Sequence, residues 1–494
     1  MHMEALRAQV RADAHLAALP ALADGPLHLV GGAVRDALRG VAAVDWDIAV
    51  PHGAIALARR FADARGGAFV PLHEGHPTAR VVIGGTVYDF AEYRAPTLVA
   101  DLHARDLTIN AVAADLRALL AGDDAPLVDP CGGVSDLDAG RLRPCGPEVF
   151  AADPVRVVRL YRFVASLGFA PTAGADAQAR AVTGRDGGAW WWHAVAPERV
   201  ADELAKLFAA PHAARAMLPL MDAGVLRAFV PYLDETRGLA QSGNHHLDVY
   251  DHDLAAAVAV AGDFLPSLDA WAAPHADALR DWLAVQTGGG RTRQWIVPFA
   301  ALIHDLGKVI TRTTKPDGTN GFPRHEAAGG RLAARTAGSL RLSRAETRLL
   351  VRCVRLHGHP NALHGRGSDG LLRFFAVVGE AAPGVILVAM GDRATARGPE
   401  RPPEKVAADI AWLQSLAREG FGTYAPLLAS PPLVRGGDLI AALDLAPGKR
   451  VGELLLLVRR RQLAGEIRTV EEAIAAARAL LALRHPAESP TRSY

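Results

Sequence analysis

Two carboxylates separated by one residue, Asp45 and Asp47, follow a glycine pair, Gly31-Gly32, and an arginine, Arg35. Side chains alternate across a strand, so both carboxylates would share one face. Such a pair can hold divalent cations, while glycines let backbone N–H groups approach phosphate oxygens that Arg35 can neutralise. The chemistry this points to is two-metal nucleotidyl transfer, with one cation on the attacking hydroxyl and one on the leaving pyrophosphate. Alone, Gly-Gly is an ordinary turn and Asp-x-Asp an ordinary strand edge; their order and separation around Arg35 carry the inference.

Three further clusters stand out. Arg105-Asp106, with Thr108 and Asn110 behind it, reads either as a salt-bridged helix start or as a ribose and phosphate contact. Asp153, Arg156 and nearly Arg159 fall along one helical face, where Asp153 is a good N-cap and Arg156 its i+3 partner. His252, the doublet His304-Asp305, and Asp392 lie in separate apolar-periodic stretches, and imidazoles with carboxylates bind divalent metals.

The elements that must position these groups divide the chain. Up to about residue 140 the pattern is α/β. Leu27–Val30 and Asp45–Val50 read as strands, Val34–Leu38 and Ile55–Ala64 as helices, and Ala79–Ile83 with Thr86–Phe90 as a hairpin turned at Gly84-Gly85. Thr108–Leu119 is expected to be helical. Beyond Pro144 strand signals fade, and Asp153-Pro154 should open a helix reaching Leu167. A helical block from His252 to Asp392 is broken by a polar loop, Lys315–Pro323. A Pro-rich link, Arg397–Glu404, leads to a helical tail with a turn at Ala446–Lys449, and Pro486–Tyr494 should be loose. In the tail, Gly448, Lys449 and Arg450 form a plausible phosphate cradle at a helix start, with Arg459-Arg460-Arg461 adding charge.

Composition narrows the class. The 494 residues are 50% hydrophobic, enough for a sizeable core and for about three domains. Lys+Arg total 54 against Asp+Glu 53, so any nucleic-acid site must rest on local basic patches. Cys131, Cys145 and Cys353 are too scattered for a disulfide framework or a CxxC metal site, which suits a reducing cytoplasm. No apolar signal core opens the chain and no membrane-spanning run is expected. Trp190-Trp191-Trp192 is expected to pack in the core rather than stack on bases.

The series Gly31-Gly32…Arg35-Asp36…Asp45-x-Asp47, Arg105-Asp106-x-Thr108-x-Asn110-Ala111 and Asp129-Pro130-x-Gly132-Gly133 resembles the motifs of class II tRNA nucleotidyltransferases and bacterial poly(A) polymerases. The resemblance implies an α+β head of the DNA polymerase β-like nucleotidyltransferase superfamily, with a small mixed sheet, followed by all-α neck, HD and tail domains. The corresponding spans are 1–140, 141–235, 236–400 and 401–494. It implies Asp45 and Asp47 as ligands of Mg²⁺, Gly31, Gly32 and Arg35 on the triphosphate, and Arg105, Asp106 and Asn110 at the sugar. Asp153 and Arg156, with Arg159 beside them, would read the base edge of CTP or ATP, although Ala152 replaces the acidic residue usual before that aspartate. Glu198-Arg199 matches a further neck motif, and Asp89 could add a carboxylate. The later histidines are similar to the HD phosphohydrolase superfamily, which implies a divalent metal on His252, His304, Asp305 and Asp392, with His325 and His357 as further ligands or phosphate contacts. The tail would grip the acceptor and T arms of tRNA through Gly448, Lys449 and Arg450.

Between Asp89 and Leu102 the chain is short where CCA-adding members of this family carry a longer polar loop. By that resemblance the expected activity is addition of cytidines (CC) to the tRNA 3′ end from CTP, with a separate A-adding enzyme completing it. Full CCA addition from CTP and ATP is the near alternative. A poly(A) polymerase would have a basic tail. An HD phosphohydrolase with an inactive head, or a non-catalytic RNA-binding protein, would leave the intact Asp45, Asp47, Arg105 and Asp106 without a task.

Overall fold

The computed structural model describes residues 2–73, 77–122, 127–241, 243, 245–399 and 401–482; the expectation for Pro486–Tyr494 lies outside them. The chain divides into two compact units, Met1–Ala228 and Phe229–Tyr494.

The first unit is built on six strands: β1 (His28–Val30), β2 (Asp45–Val50), β3 (Ala68–His73), β4 (Thr78–Ile83), β5 (Thr86–Glu92) and β6 (Ala113–Asp115). They lie in the order β3-β4-β5-β2-β1-β6. The sheet is mixed: β2 runs parallel to β5 and the other pairings are antiparallel. Alternation along β2 buries Trp46, Ile48 and Val50 and leaves Asp45 and Asp47 on the other face. Helices α1 (Gly31–Leu38) and α2 (Ala54–Arg65) follow β1 and β2. Phe61 of α2 packs edge-on against Tyr88 and also meets Phe90, 5.2 and 5.4 Å between ring centroids. The apolar face is thereby covered by α2, and the parallel register sets Asp89 beside Asp47.

The expected helix Thr108–Leu119 is instead a 3₁₀ turn (Thr108–Asn110), strand β6, and a short helix (Leu116–Ala121). Ala113 and Ala114 pair with β1, so sheet completion overrides a sequence that alanine made look helical. The Asp129–Gly133 motif serves this segment. Asp129 accepts from the Gly133 and Val134 N–H groups at 2.6 and 2.9 Å, and Gly133 lies directly against the Thr108 carbonyl.

The neck helix α3 (Val155–Leu167) buries Val157, Leu160, Tyr161 and Val164 and packs on α4 (Pro197–Phe208). Trp191 is wholly buried and donates to the Val225 carbonyl at 3.0 Å, as a core residue would.

In the second unit α5 (Val249–Ala259), α6 (Ile296–Ala301), α7 (His325–Ser339), α8 (Arg344–Leu356) and α9 (Ala382–Thr395) pack together. Two small hairpins interrupt the helices; one, Thr313-Thr314 with Asn320-Gly321, brackets part of the predicted polar loop. Ser368–Thr395 is long and apolar enough to cross a membrane by length and composition, yet 72% of its most apolar window is buried within the protein. The tail helices α10 (Gly436–Leu443), α11 (Lys449–Leu463) and α12 (Val470–Ala482) share an apolar cluster that includes Leu439, Leu454, Val458 and Ala473.

A β-carbon at position 133 would sit 2.0 Å from the Thr108 carbonyl oxygen and 2.8 Å from Val112. Gly133→Ala is therefore expected to cost about 3 kcal/mol of stability, the upper end for an overpacked core. A denaturant melt of the variant with the wild-type midpoint would contradict this packing.

Candidate active site and metal centre

A cavity of about 520 Å³ in the first unit is lined by Gly31, Gly32, Arg35, Asp47, Asp89, Arg105, Asp106, Asn110, Asp153, Arg156 and Arg159, among others. Every nucleotide-binding candidate from the sequence lines it. Asp45 lies outside the lining, exposed on β2 two residues before Asp47.

Asp47 is built into the glycine turn. The Gly32 N–H donates to its Oδ2 at 3.3 Å, and Gly31, at φ +72°, leaves no room for a β-carbon, which would stand 2.6 Å from that oxygen. Burial raises the Asp47 carboxyl above its ordinary value; Arg105 opposes the rise, and Asp89 and Asp45 add to it. A divalent cation bound there would lessen the repulsion among these carboxylates. Asp89 accepts a bidentate pair from Arg80, 2.8 Å to each oxygen.

Arg35 is held from three sides. It makes two bonds to Asp36 at 2.9 and 2.7 Å, donates to Asn110 Oδ1 at 2.8 Å, and lies 5.3 Å over the Phe163 ring. Arg105 is fixed by Asp101, a buried carboxylate that also accepts from the Arg94 N–H. Asp101 thus closes the short connection from β5 to the helix Leu98–His103. Asp106 is buried and turned toward its own chain. Its Oδ1 accepts from the Leu107 N–H and Asn110, and its Oδ2 takes Nε and Nη2 of Arg159 at 2.9 and 2.7 Å. Burial works against the Asp106 charge, but Arg159 and these donors hold the carboxyl well below the usual range.

Asp153 does not cap α3 with its side chain. Its carboxylate takes both ends of Arg199 at 3.0 and 2.8 Å, while Arg156, 3.8 Å away, donates to the Ala104 carbonyl. Sequence reading missed Arg94, Arg162 and Phe163 as lining residues and did not bring Arg199 to the nucleotide. The signal for Arg162 was present: Arg156, Arg159 and Arg162 recur every three residues along α3. The lining holds seven arginines and four aspartates, a field that suits a polyanionic triphosphate.

The chain matches the family model "Poly A polymerase head domain" over residues 27–143 and the model "Probable RNA and SrmB- binding site of polymerase A" over 193–236. It is 35% identical to an A-adding tRNA nucleotidyltransferase of Deinococcus radiodurans, over 90% of this chain and 93% of that one. The chain belongs to the tRNA nucleotidyltransferase family. A CC-adding tRNA nucleotidyltransferase of Geobacter sulfurreducens is 30% identical, over 90% and 89% of the two chains. A solved CCA-adding enzyme in complex with ATP shares the fold, with TM-score 0.59, 18% identity and 94% of each chain covered.

In the second unit of this family member, a different set of groups converges. His252 on α5 approaches Asp392 on α9 at 3.3 Å and Asp305 at 3.8 Å. His304, just past α6, lies 3.5 Å from Asp305. His325, at the start of α7, and His357, at the end of α8, reach the other oxygen of Asp305 at 3.2 and 3.7 Å. All four predicted ligands and both auxiliary histidines are therefore in one place. Asp253, adjacent to His252, and Lys308, one helical turn past Asp305, join them unforeseen; Lys308 pairs with Asp305 and bonds Gln241. Burial pushes His304 down to about 3, so its imidazole is neutral. His252 Nε2, His304 Nε2 and Asp305 Oδ1 are buried without a hydrogen-bond partner, and His252, Asp253, His304 and Asp305 have donor atoms within 4.8 Å of one another. Imidazole nitrogens and a carboxylate oxygen left unsatisfied in this way fit a divalent ion.

Of the tail candidates, Gly448 and Lys449 are exposed, and Arg450 pairs with Glu453 at 3.8 Å. The triple arginine is engaged within the chain: Arg459 bonds the Ser430 and Pro431 carbonyls, Arg460 pairs with Asp369 and Arg461 with Glu466.

Because the carboxylate of Asp47 fills the space beside Gly31, Gly31→Ala is expected to displace it. Nucleotide addition should fall about 100-fold, the cost of misplacing a reacting group by about 1 Å. Steady-state incorporation with a folded variant checks this; activity within a factor of about two of wild type would refute the fit.

Proposed function

We propose that this enzyme adds nucleotides to the 3′ end of tRNA without a template, releasing pyrophosphate, and that it adds one kind of nucleotide rather than the full CCA. The observation that carries the reading is the single cavity in which Asp47 and Asp89 meet the arginines of α3. Asp45 and Asp47 would hold Mg²⁺, which when bound lowers the pKa of the attacking hydroxyl and stabilises the leaving pyrophosphate. Gly31 and Gly32 bring the backbone close to the triphosphate, and Arg35 and Arg105 neutralise it. Asp106 and Asn110 shape the sugar side. Arg156 donates to the base edge, while Asp153, pinned by Arg199, keeps lone pairs free to accept from the exocyclic amine. Arg159 fixes this face to the head.

The short connection closed by Asp101 favours cytidine addition from CTP. The 35% identity to an A-adding relative favours ATP as a second reading. Either specificity calls for another enzyme acting on the same tRNA. On this reading the head spans residues 1–140, a neck 141–235, an HD domain 236–400 and a tail 401–494 that would grip the RNA backbone near Gly448, Lys449 and Arg450. In the HD domain, His252, His304, Asp305 and Asp392 would hold a divalent ion that, when bound, activates water for phosphoester hydrolysis; Lys308 keeps Asp305 charged.

Labelled CTP and ATP should be tested separately on tRNA ending at the discriminator base, at the first cytidine and at the second. Incorporation of CTP on the first two substrates alone is expected. ATP on the third alone would establish the adenosine reading, and completion of CCA by the purified enzyme would overturn the single-nucleotide proposal. His304→Ala should remove bound metal from the second unit and abolish hydrolysis of RNA 3′-phosphates or cyclic phosphates, with nucleotide addition retained. Loss of both activities in a folded variant would defeat the two-site proposal.

A further inference from the structure

The second unit carries a basic surface that none of the expected sites uses. Helices α7 and α8 form a hairpin joined by residues 340–343, with Leu332, Ala333 and Ala337 on one helix and Leu349, Leu350 and Val354 on the other turned inward. Along the outward side of α8 run Arg344, Arg348, Arg352 and Arg355, all exposed. At 100° per residue they fall within an arc of about 80°, and the stripe is about 16 Å long. Arg331 and Arg335 of α7 are exposed as well, and the stem of Arg355 lies across Gly330, next to Arg331.

Acidic residues that would neutralise this surface are missing from the segment. Between residues 327 and 366 there are eight arginines and one carboxylate, Glu346. Glu346 is fully buried, bound by Arg291 at 2.7 and 2.9 Å and by the Ser343 N–H. Among the described residues, no carboxylate pairs with Arg331, Arg335, Arg344, Arg348, Arg352 or Arg355. Arg352 is steadied by the Val378 carbonyl and Arg331 by that of Ala327. The stripe also contains a notch of about 120 Å³, lined by Arg293, Arg348, Arg352, Gln286 and Thr287. Glu380, 71% exposed, also lines the notch and pairs with Arg293 at 2.7 Å, leaving Arg348 and Arg352 as the notch's arginines without a carboxylate partner among the described residues.

We propose that the outer face of this hairpin is a docking surface for the sugar–phosphate backbone of the substrate RNA, with the notch receiving one phosphate. Arginines four residues apart on a helix are about 6 Å apart along its axis, a spacing that lets neighbouring guanidiniums take neighbouring phosphates. Aromatic side chains and side-chain amides are not interleaved with the arginines along α8, so the stripe would hold RNA without reading its sequence. The overall balance of charge in the chain hides this patch. The inference rests on RNA being the substrate, as proposed above.

The test uses the full chain with Arg344→Gln, Arg348→Gln and Arg355→Gln combined; these three side chains are exposed and none lines the head cavity. A thermal melt matching wild type shows that the variant is folded, and single replacements serve if the triple variant is not. The dissociation constant for tRNA lacking its CCA end is measured across a salt series, together with nucleotide affinity and kcat at saturating tRNA. Expected are RNA binding weakened about 10-fold or more at low salt and a slope of log K against log salt reduced by about two to three, since each phosphate contact contributes about 0.9. Nucleotide affinity and kcat should stay at wild-type values. Unchanged RNA affinity and salt slope in the folded variants would overturn the proposal and leave the face to an acidic protein partner. Failure of the wild-type enzyme to extend any tRNA would instead overturn the functional reading on which it rests.

Discussion

The candidate active site depends on one ion pair, between the buried carboxylate of Asp106 and the half-buried guanidinium of Arg159. Asp106 belongs to the head and Arg159 to the helix α3, and several groups of the cavity are linked through one or the other. Asp106 binds Asn110, Asn110 accepts from Arg35, and Arg35 grips Asp36 at the end of the glycine turn. On the neck side Arg159 reaches the buried Glu203, which also takes Arg162 at 2.6 Å. The Asp106 charge is expensive to bury, and removing Arg159 would leave it without a charged partner. The network therefore constrains the angle at which head and neck meet, and with it the distance from Asp47 to the arginines of α3.

That constraint explains how a cavity with seven arginines exists at all. Guanidiniums crowded together repel, and burial adds to the cost. Here five of the seven are tied to specific anions: Arg105 to Asp101, Arg159 to Asp106, Arg162 to Glu203, Arg199 to Asp153 and Arg35 to Asp36, which shares it with Asn110; Arg156 donates to the Ala104 carbonyl. Three of the orienting anions, Asp36, Asp101 and Glu203, stand behind the lining, so the wall itself presents seven arginines and four aspartates to a ligand. A triphosphate meets donors already aimed, so little reorganisation accompanies binding.

Much of this was legible in the sequence because it rests on short-range rules. Strand alternation gave the face of Asp45 and Asp47, and the spacing of three gave the face of Arg156 and Arg159. Long-range pairings were hidden. The partner of Asp153 is 46 residues away, and nothing local distinguishes Arg199 as its mate from a helix-start charge. Asp153 was legible as a cap by its place before a proline, yet its carboxylate was claimed by a stronger, charged donor. The Thr108–Leu119 segment was misread for a related reason: alanines favour helix until an unpaired strand edge offers them hydrogen bonds. Asp253 and Lys308 escaped because each is an ordinary residue until the helices converge on Asp305.

The two chemical centres select ligands of opposite charge by opposite means. Arginine cannot lose its proton at physiological pH, so a cavity lined with it is committed to anions. Imidazole can be neutral, and burial makes it so: His304 is held to about 3, and His357 is lowered as well. Asp305 and Asp392 are held well below the usual carboxylate range, so the second centre sets anionic oxygens beside imidazole lone pairs. A cation is the complement to that field, and an anionic phosphoester would be attracted there only once a cation is in place. The same chain thus carries one cavity lined mainly by permanent cations and one cluster of buried imidazoles and carboxylates, with histidine burial as the distinguishing device.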